Sequence, residues 1–200
     1  MLIVDDERRY VAANAPAREL LGISPDAVPW HRVDDFTPED EREALAEQWD
    51  AFLASGGLEG WLHLCRPTGD LLPVEFSVTA NVMPGRHLSV VLPQADDVVE
   101  PPTEAQSGAW IRLVAPDDER QELTPREHDV MALVAAGLQG GDIATQLFVS
   151  PETVKSHVQN AMSKLGARTR AHAVAIALSS GQIDLQTPPG AESEERTADW

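Results

Sequence analysis

The run "LTPREHDVMALVAAGLQGGDIATQLFVSPETVKSHVQNAMSKLGARTRAHAVAIAL", Leu123 to Leu178, constrains the chain most, because helix-start and helix-stop signals recur in it at short intervals. Thr124 stands at an N-cap position with Pro125 at the first helical position. Glu127 lies three residues after the cap, where its side chain can return a hydrogen bond to the cap amide. Gly137 supplies a left-handed stop. In "GDIATQLFV", Ile143 and Leu147 share one helical face, and Asp142 sits near the positive end of the helix dipole. After the short connection "FVS", Ser150 and Pro151 open a third helix, on which Val154, Val158, Ala161, Met162 and Leu165 fall on one side. A fourth helix follows Thr169 and ends at Gly181. Short capped helices whose middle pair is tightly joined describe a helix-turn-helix.

With those apolar residues buried, the opposite face of the third helix presents Lys155, Ser156, Gln159, Asn160 and Ser163, a surface of donors and acceptors. Starting at Lys155, this stripe carries no carboxylate. It suits the major groove of double-stranded DNA, where Lys reads guanine acceptors and Gln or Asn can bond adenine in two places. The bland alternative is a solvated helix face.

A net charge of −18 argues at first against a polyanionic partner. The charge is unevenly placed. Residues 1–121 hold 9 Lys/Arg against 23 Asp/Glu, residues 122–183 hold 5 against 5, and residues 184–200 hold 1 against 5. From Thr153 to Ile183 the basic residues are Lys155, Lys164, Arg168 and Arg170, with no acidic residue among them. Screening acts over roughly 8 Å at physiological salt, so this strip can attract an anion despite distant negative charge. Any nucleic-acid face is expected there, and the acidic half is a candidate cover for it.

The remainder divides around a break in periodicity. Between Pro93 and Gln121 prolines, acidic pairs and small polar residues read as a linker, although "AWIRLVA" within it is apolar enough to dock on something. The end of the chain, "TPPGAESEERTADW", reads as an acidic disordered tail. No apolar run approaches the roughly 18 residues a membrane span needs, and the N-terminus lacks a secretory pattern, so no membrane partner and a cytoplasmic location are expected. The single cysteine, Cys65, has no partner for a disulfide or zinc site and is expected half-buried on a strand.

At the N-terminus, "LIVDDERRY" raises the choice between a metal-binding acidic pocket and a turn between strands. A phosphoryl-accepting pocket needs a further carboxylate at a strand end and a cation opposite it. Asp50 is at a suitable distance but lies in "EDEREALAEQWDAFLASGG", whose Leu45, Trp49, Phe52 and Leu53 have helical spacing. The chain's only lysines are Lys155 and Lys164, so no lysine is at hand to stabilise a phosphoryl group. Asp5 and Asp6 are therefore expected to shape a turn. Beyond that turn the letters give a strand, a short helix ended by Gly22, a long helix with Thr37 as a candidate cap, and then strands joined at Pro67-Thr68-Gly69-Asp70 and Pro84-Gly85.

Leu123 to Leu178 resembles the LuxR-type (NarL-like) helix-turn-helix over its whole length, through "LTPRE", "AAGL", "IA", "VSPETVKSHV" and "KLGARTR". The resemblance implies a transcription regulator that binds promoter DNA, whose third helix enters the major groove and whose fourth often pairs with its twin in a homodimer. By position it implies that Lys155, Ser156 and Gln159 face bases, beside the Asn160 of the polar stripe, while Thr153, His157, Lys164 and Arg168 lie near phosphates. Two departures matter: Gly140 and Gly141 replace a polar residue and a lysine common there, and Gln159 stands where many members have Arg or Lys. Met1 to Pro93 resembles a PAS domain, through "NAPARELLG", "DFTPED" and the Gly69-Asp70 turn.

Such domains bind haem, flavin or metabolites, or only dimerise. The region "WHRVDDFT" lacks the cysteine of light-sensing flavin chemistry, and Asp40 to Ser55 lacks a haem-binding histidine. His31, His63 and His87 are expected as surface or packing residues, so no cofactor and no metal site are expected.

The expectation is an α+β chain: a PAS-like antiparallel sheet with helices over residues 1–93, a linker over 94–121, an all-α four-helix helix-turn-helix over 122–181, and an acidic tail over 182–200. Its expected function is sequence-specific regulation of transcription without enzymatic activity. RNA polymerase and a small-molecule ligand of the PAS-like domain complete the expected partners. The alternative is a two-component response regulator with a degenerate receiver domain.

Overall fold

Alternation along "LLPVEFSVTANVM" places Val74, Phe76 and Val78 on one side of a strand and Glu75 and Ser77 on the other, and this strand anchors the N-terminal sheet. In the computed structural model, which describes residues 1–94, 110–113 and 121–184, the strands are β1 (Leu2–Asp5), β2 (Tyr10–Ala13), β3 (Gly57–Cys65), β4 (Leu71–Met83), β5 (Arg86–Pro93) and β6 (Trp110–Leu113). They form one antiparallel sheet in the order β2-β1-β5-β4-β3-β6. Register is set by pairs such as Leu58 with Val78 and Phe76 with Val91. The connection from β2 to β3 carries helix α1 (Ala15–Leu21), three short 3-10 turns and helix α2 (Arg42–Ser55).

These helices cover the inner face of the sheet. Leu21, Phe36, Trp49 and Phe52 bury themselves against Leu2, Val4, Leu58, Val74, Phe76 and Val78. His87 is fully buried and edge-on to Trp49 and Phe52, with ring centroids 5.6 Å and 5.3 Å away. The Asn81 amide donates to its Nδ1 at 3.1 Å, so Nε2 carries the proton and points at Asp6 Oδ1, 3.1 Å away. Trp49 Nε1 donates to the Asp6 carbonyl at 2.9 Å. Asp5 Oδ1 accepts from the amides of Glu7 and Arg9 at 3.0 and 2.9 Å. Both acidic residues thus organise the turn between β1 and β2. Asp50 is exposed on α2, a position with no part in any pocket near Asp5 and Asp6.

Two expectations about the N-terminal half need correction. Thr37 does not cap the long helix, because its hydroxyl donates to the Val33 carbonyl at 2.9 Å and α2 begins only at Arg42. The stretch 94–121 is not purely a connector, because Trp110–Leu113 pairs with β3 as the edge strand β6. Cys65 lies half-buried on β3, as its residue type suggests.

The C-terminal helices are α3 (Pro125–Ala135), α4 (Gly140–Leu147), α5 (Pro151–Lys164) and α6 (Arg170–Ser179). The capping box at Thr124 and Glu127 is formed, with the Thr124 amide donating to Glu127 Oε2 at 2.8 Å. Ser150 and Thr169 cap α5 and α6 through their side chains. The compact unit runs past Gly181: Gln182 Oε1 accepts from the Leu123 amide at 2.8 Å, and Ile183 is buried at 2% exposure. The rest of the stretch expected as a tail, residues 185–200, lies outside the described residues.

The two halves meet. Val90 and Leu92, on the outer face of β5, share one apolar cluster with α3, α5 and α6. Eight consecutive residues of α6, Arg170 to Ala177, are buried.

Candidate nucleic-acid interface

Helices α4 and α5 meet through a turn at Phe148, which takes the left-handed conformation at φ 56° and is 95% exposed. The Val149 amide donates to the Ala144 carbonyl at 3.0 Å, and Arg126 Nη2 donates to the Leu147 carbonyl at 2.8 Å, so the turn is tied to both α4 and α3. Val154, Val158, Ala161 and Met162 fix α5 in the bundle. Its opposite face is open: Ser156, Gln159, Asn160 and Ser163 are exposed, and Lys155 is half-buried. The side chains of Lys155, Gln159 and Asn160 have no hydrogen bond or ion pair among the described residues. Ser156 donates its hydroxyl to the Glu152 carbonyl at 3.0 Å, and the Thr153 and Ser150 hydroxyls lie 2.8 Å apart.

The residues expected near phosphates divide. Arg168 is exposed, and Thr153 and His157 are half-buried on α5. Lys164 instead donates to Glu127 Oε2 at 2.7 Å, which commits its ammonium inside the domain. Burial works to raise the Glu127 carboxyl, but Lys164 and Thr124 outweigh it and hold the group below the usual carboxylate range.

Arg170 leaves the expected basic strip altogether. It is 5% exposed, its amide donates to Glu75 Oε2 at 2.9 Å, its Nε also donates to Glu75, and its Nη2 donates to the Pro93 carbonyl at 2.7 Å. The acidic half therefore captures one of the strip's cations, yet its described residues leave the face of α5 open. Sequence reading also passed over Glu152. It is exposed four residues before Ser156, so helical spacing puts a carboxylate at the head of the stripe, where it can accept from a cytosine amino group. The i, i+4 spacing was the available signal.

Within the N-terminal half, a cavity of about 60 Å³ lies between the sheet and its helices, lined by Val74, Phe76, Val78, Leu58, Trp49 and Ile111 among others. Its walls are almost wholly apolar, and its size is far below the roughly 300–1,000 Å³ of ordinary ligand pockets. A haem or flavin does not fit it as it stands. Of the histidines, His31 lies 3.2 Å from Asp35, His87 is packed against Trp49 and Phe52, and His63 is half-buried on β3. The described residues contain no cluster of three or more His, Cys, Asp or Glu fit to hold a metal ion.

Residues 121–177 match the family described as bacterial regulatory proteins, luxR family, and residues 1–92 match the PAS fold. The chain is 41% identical over 63 residues to the spore germination protein GerE of Bacillus subtilis (strain 168), a match covering 32% of this chain and 85% of that protein. It is 43% identical over 61 residues to the transcriptional regulatory protein FixJ of Rhizobium meliloti (strain 1021), covering 30% of each. Among solved structures, the VqmA dimer of Vibrio cholerae without target DNA aligns over 90% of this chain and 82% of that one, at 21% identity and a TM-score of 0.36. The chain thus spans most of GerE but under a third of FixJ. No helix among the described residues is long and apolar enough to cross a membrane.

Proposed function

This chain belongs to the luxR family of bacterial regulatory proteins, and from that premise we propose how it reads DNA. It is a DNA-binding transcriptional regulator with a PAS-fold domain ahead of the reader. Helix α5 enters the major groove with Lys155, Gln159 and Asn160 against base edges and Ser156 beside them. Thr153, His157 and Arg168 flank the phosphates. Lys164 takes a supporting role, because its ammonium braces Glu127 and the start of α3. The observation that carries this reading is the open face of α5, whose ammonium and amide groups have no intramolecular partner among the described residues while the face behind them is locked into the bundle.

The working unit is a homodimer in the cytoplasm, its readers on half-sites about one helical turn apart. Residues 1–93 act as the sensor or dimerisation domain, 94–121 as the connection that also lends β6, and 122–181 as the reader, with the following residues through Ile183 completing its core. RNA polymerase is the downstream partner. The small apolar cavity beneath the sheet admits only a compact, mostly apolar molecule.

Selection of bound sequences from a random duplex pool by the full chain tests this. The expected outcome is a recurring motif whose affinity falls with salt. Failure to form any complex at low salt would remove the reading.

A further inference from the structure

A second cleft lies where the two halves meet, apart from the apolar cavity beneath the sheet. Its volume is about 280 Å³, just below the roughly 300–1,000 Å³ of ordinary ligand pockets. Helix α1, the end of β5 and the turn after β3 form one side, and the end of α3 forms the other. Two charged residues line it, Arg66 and Glu19, among apolar walls that include Leu20, Leu92 and Ala135.

Local structure fixes where each charge stands. The last carbonyls of a helix lack intrahelical donors, and Arg66 Nε donates to one of them, that of Leu20 in α1, at 3.0 Å. The Arg66 amide is itself held, donating to the Asp70 carbonyl at 2.9 Å. This use of Nε orients the guanidinium and leaves Nη1 and Nη2 with no partner among the described residues. Those two nitrogens form one edge of a planar fork that matches a carboxylate with two bonds. Glu19 is exposed on α1, and its side chain has no hydrogen bond or ion pair among the described residues. Pro16, one turn before Glu19 on the same face, lies so near Gly137 that a Cβ there would be 2.8 Å from the proline ring. With φ at 89°, Gly137 supplies both the space and the backbone conformation that this approach requires. Glu19 therefore stands toward the α3 side of the cleft and Arg66 toward the C-terminal end of α1. Ala135, the last residue of α3, also lines the cleft, so the negative end of that helix dipole lies on the Glu19 side. Arg66 and Glu19 thus share one cleft without pairing to each other.

We propose that this cleft binds a free α-amino acid with a small apolar side chain, its carboxylate on Arg66 Nη1 and Nη2 and its ammonium on Glu19. Charge balance selects that class. A net anion gains from Arg66 but meets Glu19 and the end of α3, whereas a net cation gains from Glu19 but meets Arg66. A zwitterion satisfies both walls at once. The apolar remainder of the wall receives the side chain, and the volume keeps it small. The occupant touches α1 and α3 together, so binding links the N-terminal half to the helical half by a route separate from the apolar cavity. A ligand held by the folded chain alone stabilises it as its concentration exceeds its Kd. This site stands independently of the DNA-reading assignment.

The test is calorimetric titration of the full chain, without DNA, with L-alanine, L-valine and L-leucine, and with the N-acetyl and amide derivatives of each as singly charged controls. The expected result is one-to-one binding of at least one of the three amino acids. Its two derivatives should be weaker by about tenfold or more, as loss of one charge-assisted contact implies. Glu19→Gln should weaken the amino acid by a similar factor while bringing the N-acetyl derivative closer to it, because the repelling carboxylate is gone. Arg66→Gln should weaken it likewise and favour the amide derivative instead. No binding by any of the three at millimolar concentration overturns the inference. So does binding that either substitution leaves unchanged in a folded variant, or derivatives that bind as well as the parent amino acid. Arg66→Gln also removes the bond to Leu20; if circular dichroism shows that variant unfolded, Glu19→Gln decides alone, since the Glu19 side chain is exposed and holds no partner among the described residues.

Discussion

Lys164→Ala separates a bracing lysine from a phosphate-binding one. Lys164 Nζ lies 2.7 Å from Glu127 Oε2, with the lysine side chain 26% exposed and the glutamate 6%. Removing the ammonium leaves the carboxylate with the Thr124 amide at 2.8 Å as its remaining strong donor. A hydrogen bond to a charged group is worth about 1.5–3 kcal/mol. Water reaching the partly exposed site recovers some of that, so the expected loss is about 1–2 kcal/mol at neutral pH. The sign of the pH dependence follows from Glu127, whose folded carboxyl is held below its usual value chiefly by Lys164 acting against burial. A depressed carboxyl contributes stability that is present above its unfolded pKa of about 4.3 and is lost as pH falls through the folded value.

Urea unfolding followed by helical circular dichroism should therefore show parent and variant well separated at neutral pH and converging in acid. DNA affinity of the folded variant should keep the parent's salt dependence, because the ammonium is already committed. A slope smaller by about 0.9 would make Lys164 a phosphate contact. That result, or a stability gap that persists unchanged into acid, would refute the assignment of Lys164 to Glu127.

Lys155→Ala should weaken binding to a selected site by about 1–3 kcal/mol while stability stays within about 0.5 kcal/mol, which titration and urea unfolding check together. Arg168→Ala should instead lower affinity for all sequences alike and reduce the salt slope by about 0.9, measured by anisotropy across a salt series. Phe148→Gly should raise stability by about 1 kcal/mol, since the residue is left-handed at φ 56° and 95% exposed, so little packing is lost and backbone strain is relieved; a lower melting temperature would contradict this.

Local signals were legible because their physics is local. Thr124 with Glu127, Ser150 with Pro151, and the Gly69 turn each act within a few residues, and each stands in the structure as its spacing implies. The face of α5 followed from helical periodicity for the same reason. Arg170 defeated the charge count because its partner, Glu75, is 95 residues away, and a one-dimensional tally treats every cation in a strip as facing water. The ion pair of Lys164 was hidden for the same reason, its partner Glu127 being 37 residues earlier. Strand β6 was hidden by its setting among prolines and acids, although its apolar letters hinted at docking. Glu152 escaped only because the stripe was begun at Lys155.

These placements bear on how the reader holds DNA at all. Of the cations in the strip 153–183, Lys164 and Arg170 are committed to Glu127 and Glu75, which leaves Lys155 and Arg168 free to meet phosphates or bases. If both meet phosphates, a single reader has a salt slope of about −1.8 and a pair about −3.6, modest beside proteins making many phosphate contacts. Electrostatic attraction from one reader is then small, particularly with 23 acidic residues in the first 121 positions of the same chain. Affinity must come from the amide and hydroxyl groups of α5 and, in the proposed homodimer, from two readers engaging one duplex, where the second contact gains from the effective concentration set by the first. In a molecule so constituted, the proposed pairing of readers is a stronger control point than exposure of α5.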